Sequence, residues 1–206
     1  MSDFSAKDVQ TLRQATGVGM MDAKRALTEC GGDMGQAKEL LREQGLADTK
    51  KRAARDANNG TVGVYTHALA GYPTLGVLVE LASETDFVAK NDDFQKMAKG
   101  LAMHIAASHP RWITVGDVPP EAVAKERDLI AREAIASGKP DAIVEKIVDG
   151  KIASFYKDFV LYEQNYIKVD DHDGKVGDMV TAMAATMGEN ISVRRFSRIA
   201  VGEQEL

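Results

Sequence analysis

The chain has 206 residues, 44% of them hydrophobic, which is enough to bury a sizeable core and suits one medium domain plus a small accessory module. Its 26 basic and 31 acidic residues leave a net charge of -5, so no global positive field draws in phosphates and a general nucleic-acid binder is disfavoured. Cys30 is the single cysteine, which excludes a disulfide framework or a CxxC metal site and fits a reducing cytosol.

The opening MSDFSAKDVQ is polar and has no basic leader or apolar stretch, so a cytoplasmic location is expected. The longest apolar runs, GVLVELA and LAMHIAA, are far too short for a bilayer and each carries a polar side chain, so no membrane role is expected. Ser5 with Asp8 three residues on gives a capping-type helix start, Val9 and Leu12 share a face, and Gly17 ends the turn. A second helix runs from about Met20 to Cys30, with Ala23, Ala26 and Leu27 at helical spacing before a Gly-Gly stop. Asp33 caps a third, with Met34, Ala37, Leu40 and Leu41 as its apolar positions and Gly45 as the expected end.

Residues 47–60, ADTKKRAARDANNG, carry almost no large apolar side chains and read as a charged linker or helix extension. Beyond them TVGVYTH and TLGVLVELA alternate and are β-branched, and with ALAGYP between them they predict an antiparallel hairpin whose inner face holds Leu75, Val77, Val79 and Leu81. Asn91 or Asp92 caps a helix with a stripe of Phe94, Met97, Ala98, Leu101, Ala102 and Ile105. Pro119–Pro120 and Pro140 open two further helices that meet at Gly138 as a helical hairpin. VLYEQNYIKV reads as extended, KVGDMVTAMAATM as a helix, and ENISVRRFSRIAVGE as a closing strand. The fold class is therefore α+β. An N-terminal helical unit occupies 1–47, a linker or helix extension 48–59, and an antiparallel sheet with packed helices 60–206.

No enzyme constellation stands out: GxxxxGK[ST], HExxH and GxSxG are absent, and the four histidines are scattered. DHDGK fails as a calcium loop because Val169 stands where the first acidic ligand belongs and no glutamate closes it. No cofactor and no metal site are expected. Two features resist a bland reading. Met20 and Met21 are neighbours, about 100° apart on a helix, so both cannot face one small core, and methionine suits an adaptable contact surface. In SETDFVAKND, Phe87 sits at a tip between strand and helix. Local sequence allows two placements, one folded back on the sheet with Asp86 capping the next segment and one pointing outward.

TGVGMMDAKRAL, TDFVAKND, LAMHIAAS and GENISVRRF, in that order along nearly the whole chain, resemble the elongation factor Ts family, the guanine nucleotide exchange factors of elongation factor Tu. The resemblance implies a ubiquitin-associated-like bundle for the N-terminal helices and no covalent chemistry. It implies that Thr85, Asp86, Phe87 and Val88 enter elongation factor Tu near its Mg²⁺ and help displace the ion. Arg13, Met20, Met21 and Lys24 would grip the partner's nucleotide-binding domain, and His67 is a further contact candidate. Longer family members carry two related halves in the core. This chain shows one set of signals, so a homodimer built on the core domain is expected. The competing reading is an RNA- or ribosome-binding protein that uses KKRAAR with Arg194, Arg195 and Arg198.

Overall fold

A computed structural model of the chain describes residues 4–203. Helices α1 (Ala6–Thr16), α2 (Met20–Glu29) and α3 (Met34–Arg52) come first. The Ser5–Asp8 pair closes a full capping box on α1, with the Asp8 carboxylate accepting from the Ser5 amide at 2.7 Å. Gly17 takes the left-handed conformation that ends the helix, φ 73°. The three helices enclose Val9, Leu12, Ala23, Ala26, Leu27, Ala37 and Leu41, with Cys30 packed at the edge.

Gly45 does not stop α3. The helix runs through it to Arg52, so the expected linker or helix extension begins as a continuation of α3, over residues 48–52. Gly45 instead lies against helix α8 (Val176–Met187), where an added Cβ would stand 3.2 Å from that of Ala185. Its missing side chain lets two helices approach closely.

Strands β1 (Asn59–Leu69), β2 (Tyr72–Ser83) and β3 (Ser192–Ala200) form one antiparallel sheet in the order β1-β2-β3. The C-terminal strand thus pairs with the central one, Val79 opposite Phe196. Val77, Val79 and Leu81 point inward against helix α5 (Asp92–Ser108), which Asn91 caps by accepting from the amide of Asp93 at 2.9 Å. Phe94, Leu101 and Ile105 on α5 and Val176, Val180 and Ala184 on α8 complete this main core. Gly63 permits the closest approach of sheet and helix, since a Cβ there would stand 2.1 Å from the Ala98 carbonyl oxygen.

Helices α6 (Pro120–Ala136) and α7 (Asp141–Phe159) form the expected hairpin around a separate small cluster of Ile130, Val148 and Ile152. The stretch after α7 is not extended. It folds into a single 3₁₀ turn, Leu161–Glu163, because Val160, Leu161 and Tyr166 are all buried and alternation cannot place them together. The amides of Leu161 and Tyr162 bond to the carbonyls of Trp112 and Ile113 at 2.8 and 3.0 Å.

His104 is the buried joint between α5 and this turn. Its Nδ1 accepts from the Ile167 amide at 3.3 Å, which leaves the proton on Nε2 to be donated to Gln164 Oε1 at 3.0 Å. Gln164 in turn donates to the carbonyls of Ser108 and Asp158, at 3.1 and 2.7 Å. Burial holds the imidazole below its ordinary value of 6.5. The unfolded chain therefore binds more protons than the folded one as pH falls below about 6.5, and stability declines in that window. The melting temperature should drop between about pH 7.5 and 5, and a His104→Gln variant should show a flatter profile over that range. An unchanged slope in the variant would mean that another group carries the dependence.

Candidate functional site

Between β2 and α5 the chain makes one helical turn, α4 (Asp86–Ala89). Thr85 caps it, with extended backbone (φ -122°, ψ 158°) and a hydroxyl that accepts from the Val88 amide at 3.4 Å. Thr85 is thus the cap, a role the local reading gave to Asp86. Ala89 is buried and Val88 packs against the main core. With those two positions taking the inner face of a single turn, Phe87 points away from the protein, and it is 83% exposed. The folded-back placement is thereby ruled out.

Beside the ring, Asp86 pairs with Lys90 at 2.6 Å, and that bond holds the exposed carboxyl below its ordinary value of 3.8. The tip thus presents a bare aromatic ring and an ionised carboxylate side by side. Its base is tied down from both flanks. Ser83 donates its hydroxyl to the Thr85 carbonyl at 3.0 Å, and the Gln95 amide donates to the Ala89 carbonyl at 2.5 Å.

A second exposed apolar patch lies where α1 gives way to α2. Met20 and Met21 are 48% and 74% exposed, because α2 already fills the bundle core with Ala23, Ala26 and Leu27. Arg13, in the last turn of α1, and Lys24, one turn into α2, are exposed cations of the same two helices. This patch belongs to the N-terminal cluster and the tip to the main core, so the two regions rest on separate packing units. His67 is exposed and meets the Tyr65 hydroxyl at 3.3 Å. It pairs with Leu75 near the hairpin turn, whereas Asn59 pairs with Ser83 beside the tip, so His67 stands at the opposite end of the hairpin from Phe87.

The basic residues that suggested RNA are largely engaged. Arg55 pairs with Glu84, Arg194 and Arg195 both with Glu80, and Arg198, 10% exposed, with Glu203. Among the described residues no group of His, Cys, Asp and Glu could hold a metal ion, and no helix is long and apolar enough to cross a membrane.

One surface went unread in the sequence. The outer face of the sheet carries Val62, Val64, Leu78 and Ile199, each more than half exposed. Val64 lies opposite Leu78, and Ile199 opposite Gly76 two positions along. The signal was present in LGVLVEL, a near-continuous apolar run where a strand with one solvated face would alternate.

The chain matches the family model described as Elongation factor TS over residues 46–177. It is 48% identical to Elongation factor Ts of Alkaliphilus oremlandii over 201 residues, covering 98% of this chain and 90% of that protein. The corresponding protein of Moorella thermoacetica is 47% identical, with 97% and 96% covered, and that of Solidesulfovibrio magneticus 45%, with 98% and 99% covered. With matches that reach from the N-terminal helices to the last strand, the chain belongs to the elongation factor Ts family.

Proposed function

We propose that the chain is a guanine nucleotide exchange factor that binds elongation factor Tu in its GDP complex and promotes release of GDP so that GTP can follow. It makes and breaks no covalent bond in this role. The observation that carries the proposal is Phe87, an unburied aromatic directed outward on a capped turn. A large apolar side chain so placed gains free energy only when something else covers it.

An exchange factor works by differential binding. If it weakens GDP binding by some factor, GDP weakens its own binding equally. Moving the equilibrium decisively takes about 5.5 kcal/mol of preference for the nucleotide-free partner. Burying one phenylalanine contributes only about 1.5–3 kcal/mol, so Phe87 cannot suffice. Displacing the partner's Mg²⁺ provides the remainder. The ion demands near-octahedral geometry and bridges protein to phosphate oxygens, so a small movement of its ligands removes nucleotide affinity. In this reading Thr85 and Val88 hold the turn, and Asp86 and Phe87 enter the partner together as a wedge near the metal site. Met20, Met21, Arg13 and Lys24 anchor the ubiquitin-associated-like unit, 1–47, on the partner's nucleotide-binding domain. Residues 48–59 link it to the core, 60–206. His67, at the far end of the hairpin, makes a separate and lesser contact.

We also propose that two copies pair through the core domain. The patch of Val62, Val64, Leu78 and Ile199 on the outer face of the sheet supports this, because apolar side chains exposed together on one face are a natural association surface. An isologous pairing of two such faces gives a closed twofold dimer and no open edge-to-edge growth.

Adding the protein to elongation factor Tu loaded with a fluorescent GDP should accelerate its release, and raising Mg²⁺ should oppose the effect. Met20→Ala with Met21→Ala should raise the half-saturating concentration more than it lowers the saturating rate. No acceleration by the unaltered protein would overturn the proposal. Sedimentation should give a dimer at micromolar concentration and a monomer for Leu78→Arg, while a monomeric unaltered protein would exclude the pairing.

A further inference from the structure

The GENISVRRF segment has no part in the two contact regions, yet its first residues gather a network of hydrogen bonds at the base of the tip. Glu189 follows Gly188, the left-handed residue that ends α8, and precedes β3. Its Oε2 accepts from the amides of Glu84 and Thr85 at 3.0 and 3.1 Å, and its Oε1 from the Thr85 hydroxyl at 2.5 Å. Thr85 is the cap of the turn that carries Phe87. Its hydroxyl hydrogen goes to Glu189 while its lone pair takes the Val88 amide, so the cap is oriented by the glutamate.

The contact is reciprocal. Glu84 Oε1 accepts from the Asn190 amide at 2.6 Å. The Asn190 side chain then donates to the carbonyls of Ala53 and Arg55, at 3.4 and 2.7 Å, in the segment that leaves α3. Arg55 lies 3.5 Å from Glu84, and Asn59 donates to the Glu84 carbonyl at 2.8 Å. Three segments far apart in sequence therefore meet at one joint: the chain from the N-terminal helices, the base of the tip, and the turn before the last strand.

We infer that Glu189 is a positioning residue for the Asp86–Phe87 tip, and that Asn190 fixes the same joint to the segment leading from the N-terminal helices. The inference rests on the exchange function proposed above. Glu189 touches neither the ring nor the exposed carboxylate; it sets the direction in which both project. Three bonds to an ionised acceptor, made from a partly buried site, are stronger than bonds between neutral groups. Together they constrain the turn in a way that the cap alone does not. Rigidity here matters for function because a wedge that must order itself on binding spends part of its binding energy doing so. Asn190 extends the constraint to the N-terminal unit, so that the two contact regions meet the partner at a set spacing.

Two measurements test the joint. In the free protein, hydrogen exchange of Glu189→Ala should quicken at the amides of Glu84, Thr85 and Val88 while the β1–β2 amides keep their protection. Protection unchanged at 84–88 would overturn the inference without reference to any partner. With elongation factor Tu and fluorescent GDP, Glu189→Ala should lower the saturating release rate roughly tenfold or more, because a tip that must order itself on binding spends binding energy that would otherwise favour the nucleotide-free partner. Glu189→Gln, which keeps an acceptor for the two amides and a polar partner for the hydroxyl, should recover most of the rate. Glu189→Ala added to an Asp86→Ala, Phe87→Ala variant should slow it no further, because Glu189 acts through those two tip residues. A further loss in the combined variant, or no recovery by glutamine, would refute a positioning role. Failure of the unaltered protein to release GDP would instead count against the exchange function itself.

Discussion

The proposed contact surface depends on the docking of one helical turn. Val88 and Ala89 pack inward at the junction of β2 and α5, and a single turn has no other face on which to hide Phe87. The exposure of that ring follows from sterics. Anchoring the turn at Thr85 and Gln95, and burying its neighbours, is what keeps an 83% exposed phenylalanine from collapsing onto the protein's own sheet.

The same division of labour recurs elsewhere. In α2, small residues fill the bundle interior and leave Met20 and Met21 outside, where unbranched, polarizable side chains can adapt to a partner. In the sheet, the inner face belongs to α5, and the outer face leaves Val62, Val64, Leu78 and Ile199 more than half exposed. Each proposed contact region is backed by a core that does not need it. Substitutions on these surfaces should therefore separate function from folding more cleanly than is usual for large apolar residues.

Much of the architecture was legible because its signals are local. Capping residues at Ser5, Asp33 and Asn91 and the prolines that begin α6 and α7 each act within a few positions, and the observed elements start where those residues predict. The misreadings came from tertiary contacts. Gly45 has the look of a helix stop until α8 is placed against it, and the turn at Leu161 exists because Trp112 and Ile113 supply its backbone partners. The site was legible only in part. Local sequence left the direction of Phe87 open, and its folded-back placement gave the cap to Asp86 in place of Thr85. The resemblance to a known family pointed outward. Glu189 gave no local sign, since its three donors lie about a hundred residues earlier in the chain.

The central claim is that the ring of Phe87 is buried in elongation factor Tu and not at home. The most direct measurement compares Phe87→Ala with the unaltered protein in two respects: the saturating rate of GDP release from elongation factor Tu, and the melting temperature. A sharply reduced rate with a melting temperature essentially unchanged is the expected result. A rate near that of the unaltered protein, or a loss of rate accompanied by a large loss of stability, would contradict the claim.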